Sequence, residues 1–422
     1  MRKKNLAMLL GAIFLVLVLG ALPLLGACAP EEVAPPPPEE EAKTLKLSAT
    51  LPLGSPLGIG AKKFYDLVVA ELNEAGGLVV KGQRYKIEMI IYDDKYTAEG
   101  GRAAVERLVF QDNVKYIFQL GSAPTLGGLT VTEPNKVLVI SAASTAKLLA
   151  PEVRYAVRGS ATGTGMPRGW AGPLEIYPNL KTVVTLAPDD ETGRALTSQV
   201  KYCVEAAGLT VLATLYYPRD IVDWTPVGTK IASLNPDFLE VTVGSVGGAD
   251  EGLMMQAAYN AGWRGITKGH LSDMKAIREV CSDEAMEGAI GEWADTEIPN
   301  PPQIAKEFKK AWIDKYGTWE GGVEGIGYGC PWNVFLAAVK KADSLEVDDI
   351  LTAMEGLEFD TPQGRGAMIK RPDLGCNKFA DCVYETALKV VRSGECIVVG
   401  RVTVEDCIKT LEMFYGYPGE WR

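Results

Sequence analysis

From Leu45 onward, short apolar runs rich in β-branched residues alternate with longer helical stretches, and this alternation restricts the fold more than any other feature of the chain. "LKLSAT" reads as a strand and Leu57 to Glu74 as a helix, which Ala75-Gly76-Gly77 ends because glycine suits the left-handed cap. "YKIEMIIYDD" is a strand, and Thr97 to Asp112 a helix capped by Thr97. "VKYIFQLG" is a strand, a helix follows from about Pro124, and "KVLVIS" is another strand. These strands are apolar on both faces, which predicts an α/β fold with a parallel sheet covered by helices.

The same grammar then restarts. "KTVVTLAPDD", "TVLATLYY", "FLEVTVG" and "GITKG" read as strands. Between them lie helices over Thr192 to Ala207, Pro226 to Leu234 and Asp250 to Ala261. In the last helix Leu253, Ala257 and Ala261 form one row and Met254 with Ala258 the next, a stripe that faces a core. Read from the residues alone, the chain is two α/β units in series, with "YAVRGSATGTGMPRG" as the crossing between them. Ligands bind beyond the carboxyl ends of parallel strands. The loops "LGSAPT", "SAASTA", "APDDETG", "VGSVGGAD" and "KGHLSD" are therefore the candidate site, facing a cleft between the units.

What precedes Leu45 reads as an address. Arg2, Lys3 and Lys4 lead into an apolar run from Leu6 to Ala27, the pattern of a secretory signal. Leu25-Gly26-Ala27-Cys28 closes that run and resembles a bacterial lipobox, which implies cleavage after residue 27 and lipidation of Cys28 rather than a permanent transmembrane anchor. Residues 28–43, with Pro35 to Pro38 and their flanking glutamates, read as an extended tether that holds a domain some ~40 Å from the membrane. The expected location is extracytoplasmic: the periplasm, or the outer face of the cell membrane.

Loss of residues 1–27 removes three positive charges and leaves the mature chain at −14, so nucleic acid is not an expected partner. Eight cysteines are present, and outside the cytoplasm disulfides are the first reading. Cys376 with Cys382 and Cys396 with Cys407 are the candidate pairs, the connectivity being open. A single histidine and the lack of Cys-x-x-Cys argue against zinc, and no other metal or cofactor is implied. The chain has no Gly-x-Ser-x-Gly elbow, and "GTGMPRG" misses the dinucleotide-binding spacing, so an enzyme is not expected.

The ordered segments "LPLGSPLGIG", "AELNEAGGLVVKGQRYKIEMIIYDD", "AVERLVFQDNVKYIFQLGS", "VLVISAAST", "DWTP" and "QAAYNAGWRG" resemble the periplasmic leucine/isoleucine/valine-binding proteins, type I solute-binding proteins of ABC importers. The resemblance runs from about Leu45 to about Thr361 and implies two Rossmann-like lobes joined by three crossings. It places residues 44–160 plus 293–360 in lobe 1 and 161–292 plus 361–422 in lobe 2, supplying returns that the serial reading lacks. It implies a monomer that delivers a small-molecule ligand to ABC permease subunits. A sensor of the same fold, signalling to a regulator, is the alternative, and neighbouring genes would separate the two.

The resemblance also places the ligand's polar groups at Ser122 and at Ala143, Ser144 and Thr145. Small residues there let backbone N–H groups approach an anion. Thr192 stands where the family often has an aromatic cover. His270 or Leu271 stands nearest the slot of an acid that pairs the ligand's ammonium, and Asp273 restores that acid only if the alignment slips. A histidine is a poor partner for an ammonium and a good donor to a carboxylate. The expected ligand is thus a small carboxylate, either an amino acid or an organic or aromatic acid without an α-amine.

Overall fold

The structure, a computed structural model, describes residues 41–159, 170–241, 248–271, 273–293, 298–319, 329–372 and 375–414. The candidate signal, Cys28 and nearly all of the tether lie outside the described residues.

The first sheet contains β1 (Lys43–Leu51), β2 (Leu78–Val80), β3 (Gln83–Asp93), β4 (Tyr116–Leu120), β5 (Leu138–Ala142) and β6 (Ala156–Arg158). Its order is β2-β3-β1-β4-β5-β6, parallel except for the β2–β3 hairpin, whose turn residues Lys81 and Gly82 both have positive φ. Every residue of β4 is buried, as its apolar run requires. Helices α1 (Pro56–Glu74), α2 (Ala98–Phe110) and α3 (Ser122–Thr132) connect these strands. Ser55 and Thr97 cap α1 and α2 with their hydroxyls.

The second sheet contains β7 (Thr182–Pro188), β8 (Thr210–Tyr217), β9 (Phe238–Glu240), β10 (Ile266–Gly269) and β11 (Ile290–Trp293), extended by β15 (Thr386–Arg392) and β16 (Glu395–Val402). The order is β16-β15-β11-β10-β9-β7-β8, with β15 and β16 antiparallel. Its helices are α4 (Ala171–Ile176), α5 (Glu191–Ala206), α6 (Thr225–Leu234), α7 (Gly248–Asn260), α8 (Met274–Val280) and α9 (Asp283–Met286). Met254 and Ala258 of α7 are buried in the core as the stripe predicts, whereas Leu253 and Ala257 of the other row are half-buried and Ala261, beyond the helix, is exposed.

The chain then returns to the first sheet through α10 (Gln303–Tyr316), α11 (Gly329–Ala342) and α12 (Val347–Ala353). An aromatic cluster fixes that return. Trp332 and Phe335 of α11 pack on Phe118 of β4 at centroid distances of 5.9 and 5.7 Å, and Tyr65 of α1 stacks on Phe118 at 5.4 Å. A small antiparallel sheet follows, made of β12 (Glu358–Thr361), β13 (Gly364–Arg371) and β14 (Cys376–Tyr384). It places Phe359, Met368, Ala380 and Cys382 in the same core. The last helix, α13 (Val404–Phe414), packs on β14.

Two lobes result, and the return into the second falls at Glu385, between β14 and β15, later than the residue 361 expected from the resemblance. Residues 364–384 stay with the first sheet because their alternate apolar side chains complete its core.

The expected cysteine pairings do not occur. Cys376 and Cys382 lie on one continuous strand, six residues and therefore about 20 Å apart. Cys396 pairs across the ladder with Val391 on the second sheet, whereas the Cys407 thiol donates to the Tyr384 carbonyl beside β14. None of the seven cysteines from Cys203 to Cys407 is disulfide-bonded.

A buried ion cluster sits beside the crossings. Arg158, the last residue of β6, donates to both carboxylate oxygens of Asp381 on β14, at 2.7 and 2.5 Å. Arg371 of β13 adds a third bond at 3.0 Å. All three side chains are almost fully buried.

Candidate functional site

The first-lobe half of the site grows from the ends of β4 and β5. Gly121 turns the chain out of β4 with φ of +93°, and its N–H donates to the Ala142 carbonyl. Ser122 then opens α3. Its hydroxyl accepts from the backbone N–H groups of Ser144 and Thr145, each at 3.2 Å, which locks the two loops together. Thr145 in turn caps the 3₁₀ turn Ala146–Leu149 by accepting from Lys147 N–H. Arg158 reaches the Ser144 carbonyl at 3.0 Å and ties this loop to the ion cluster. Ser122, Ser144 and Thr145 therefore form one hydrogen-bonded cluster, while the Ala143 side chain is buried in the apolar core with Val139 and Leu148 and does not face it.

Tyr96, in the turn after β3, joins that constellation to the second lobe. Its ring lies against Gly121, where an added Cβ would come within 2.6 Å of it. Its hydroxyl faces the Thr192 side chain, and burial pushes its phenol above the ordinary range. The Arg219 guanidinium, from the loop after β8, covers the same ring with its carbon 4.8 Å from the centroid. Arg219 also pairs with Asp190, whose carboxylate caps α5 at Gly193 N–H just before Thr192. Nearby, Lys147 and Glu191 form an exposed ion pair across the lobes at 2.7 Å. A cavity of about 330 Å³ lies beside Tyr96 and Arg219, lined also by Pro52, Gly54, Ser55, Asp93 and Lys95, and Ser122, Ser144, Thr145 and Thr192 are not among its lining residues. Tyr96 and Arg219 escape a reading of the sequence. Tyr96 occurs in the ordinary turn "DDKYTAEG", and nothing local marks it as the aromatic that Thr192 lacks.

His270 has different surroundings. It lies at the carboxyl end of β10, buried against Glu251 of α7. The Glu251 carboxylate accepts from the N–H groups of His270 and Leu271, both at 2.9 Å, and the His270 Nδ1 is 3.7 Å away. Burial, with Lys268 and Lys389 adding to it, lowers the imidazole to about 3, so it is neutral. Burial also raises Glu251 to about 7. Asp273 is taken up as the cap of α8, accepting from Ala276 N–H at 3.0 Å. Glu251 is thus the buried acid of this corner. In the sequence it reads as ordinary first-turn charge on a helix.

The lowered imidazole has a measurable sign. Between its folded value of about 3 and its ordinary 6.5, the unfolded chain binds the proton and the folded chain does not. The His270 contribution is therefore complete above 6.5 and is lost as pH falls toward 3. His270→Gln should gain on the wild type by about 1.4 kcal/mol per pH unit through that window, read from urea midpoints at several pH values. A difference that is flat with pH would refute this.

Two α/β lobes, with hydroxyl-bearing loops of one meeting a helix start of the other through Tyr96, define a hinged binding protein. A periplasmic binding protein family model matches residues 49–384, and the chain belongs to that family, one of binding proteins and not of enzymes. It is 24% identical over 360 residues to the leucine-, isoleucine-, valine-, threonine- and alanine-binding protein of Pseudomonas aeruginosa, covering 82% of this chain and 90% of that one. Its fold is similar to a solute-binding protein of an ABC transporter from Rhodopseudomonas palustris BisB5, solved with 3,4-dihydroxy benzoic acid: TM-score 0.68, 20% identity, 86% and 98% of the two chains covered. It is similarly close to a leucine-binding protein from Thermotoga maritima MSB8, with TM-score 0.68, 19% identity, and 86% and 99% covered.

Proposed function

We propose that this chain is the lipid-anchored solute-binding component of an ABC importer, and that its lobes close on a small carboxylate without an α-amine, an aromatic acid above all. The observation that carries this reading is Tyr96, whose ring rests on the Gly121 turn of one lobe and under the Arg219 guanidinium of the other. Beside it, the Ser122 hydroxyl accepts from the Ser144 and Thr145 amides and has its own O–H to donate, a donor suited to a carboxylate. Tyr96 offers a face on which a ring can stack. The aspartate nearest the usual ammonium slot, Asp273, is occupied as a helix cap, which favours an acid over an amino acid. A structural relative solved with 3,4-dihydroxy benzoic acid supports the same choice. The closed form gains only what the ligand contacts in it and not in the open form. The anchor would be the lipid on Cys28, and the permease would read the closed face.

Calorimetry of residues 41–422 with benzoate, 3,4-dihydroxybenzoate, leucine, isoleucine and valine tests the proposal. The expected result is micromolar or tighter binding of an aromatic acid, with the amino acids at least about tenfold weaker, a gap of about 1.4 kcal/mol. Heat with the amino acids alone would overturn the choice of ligand. No heat with any of the five would overturn the carboxylate reading itself.

A further inference from the structure

We propose that Cys330 and Cys382 form a disulfide when the chain is oxidised outside the cytoplasm, a cross-link that clamps α11 to β14 beside the third crossing. Their sulfurs lie 3.7 Å apart, in contact across the core of the first lobe, and both side chains are fully buried. A disulfide needs an S–S separation of about 2.05 Å, so the two thiols, already in contact, must approach further for the bond to form. Cys330 is the second residue of α11, and the neighbouring Trp332 anchors that helix on Tyr65 and Phe118. Cys382 follows Asp381, and its own N–H donates to that carboxylate at 3.0 Å. Both partners are thus held by independent contacts, and the pairing does not rest on a mobile loop. Disulfides persist in extracytoplasmic compartments, where a periplasmic binding protein works.

The chemistry balances as thiol–disulfide exchange with a disulfide oxidant, either small-molecule or protein. One cysteine thiolate attacks a sulfur of the oxidant and expels the first reduced thiol. The second thiolate then attacks the mixed disulfide and expels the other. Two protons and two electrons leave the chain, and the oxidant becomes two thiols. Burial, with Cys330 adding to it, raises the Cys382 thiol well above its ordinary value, so in the folded core Cys382 is not a ready thiolate. The exchange therefore belongs to folding, before α11 closes over β14, and the finished bond is a permanent clamp and not a switch. It would stiffen the first-lobe side of the crossing at Glu385, so that the hinge bends beyond Glu385.

The test is peptide mapping of the full chain after export to an oxidising compartment, alkylated in denaturant without reductant. The expected product is one linked peptide pair carrying Cys330 and Cys382, about 2 Da lighter than the two thiol peptides together. Cys330→Ser should leave Cys382 open to alkylation, and Cys382→Ser should do the converse. Reduction in denaturant followed by refolding under reductant should lower the unfolding midpoint of the wild type and leave that of Cys330→Ser unchanged. Alkylation of both cysteines in the exported wild type, or a linkage of either to a different cysteine, would overturn the proposal. The wild-type map is decisive even if a variant fails to fold.

Discussion

Replacing Asp381 with alanine should destabilise the folded chain by about 3–5 kcal/mol, the cost of stranding a buried charge when its partner is removed. Here one carboxylate neutralises two guanidinium groups, Arg158 and Arg371, in a site that water does not reach. The alanine would leave both arginines uncompensated. Asp381→Asn keeps the shape but loses the charge, and should cost somewhat less. The damage should also reach the candidate site, because Arg158 holds the Ser144 carbonyl with the same guanidinium. The pH dependence has the same origin. Burial would raise the Asp381 carboxyl, but Arg158 and Arg371 outweigh it and hold the group below its ordinary 3.8. Its contribution is thus complete above the unfolded value and is lost as pH falls through the depressed folded one. Urea denaturation of wild type and variant at neutral and acid pH measures both effects. Equal midpoints at neutral pH would refute the role given to the cluster.

How far the sequence announces this molecule can be argued from particular residues. Strands β4 and β5 are legible because both of their faces are buried, which leaves continuous runs such as "YIFQL" and "LVISA". The start of α2 is legible because Thr97 carries its own cap. The loop residues Ser122 and Ala143 to Thr145 are legible as ends of parallel strands. The two returns are not, from residues alone. An amphipathic helix such as α11 states that it has a buried face, not which sheet it covers. The Phe118–Trp332 contact that decides the matter joins residues far apart in the chain. The cluster of Arg158 and Asp381 is hidden for the same reason, its partners being 223 positions apart. The cysteines mislead because closeness in sequence suggests Cys376–Cys382, whereas an extended strand keeps those two apart and brings Cys382 to Cys330. Tyr96 is hidden because its importance lies wholly in what stands opposite it.

Truncating Tyr96 to alanine should weaken ligand binding by about 30- to 100-fold, the loss of 2–3 kcal/mol that accompanies removal of a buried aromatic anchor. The ring is the element that touches the Gly121 turn and the Arg219 guanidinium. Its removal would take away a stacking surface and the link between lobes in a single change. Tyr96→Phe separates the two: it retains the ring and removes only the hydroxyl that faces Thr192, so a loss of about 3- to 10-fold is expected, in line with about 1 kcal/mol for one polar contact. In this protein the two lobes would grip a single ligand where Tyr96 bridges them. The measurement that meets it most directly is calorimetric titration of wild type, Tyr96→Phe and Tyr96→Ala with the tightest acid of the panel. A graded fall in affinity in that order, with all three proteins folded, is the predicted result. Equal affinity in all three would contradict it, because the ligand would then bind away from the crevice that Tyr96 spans.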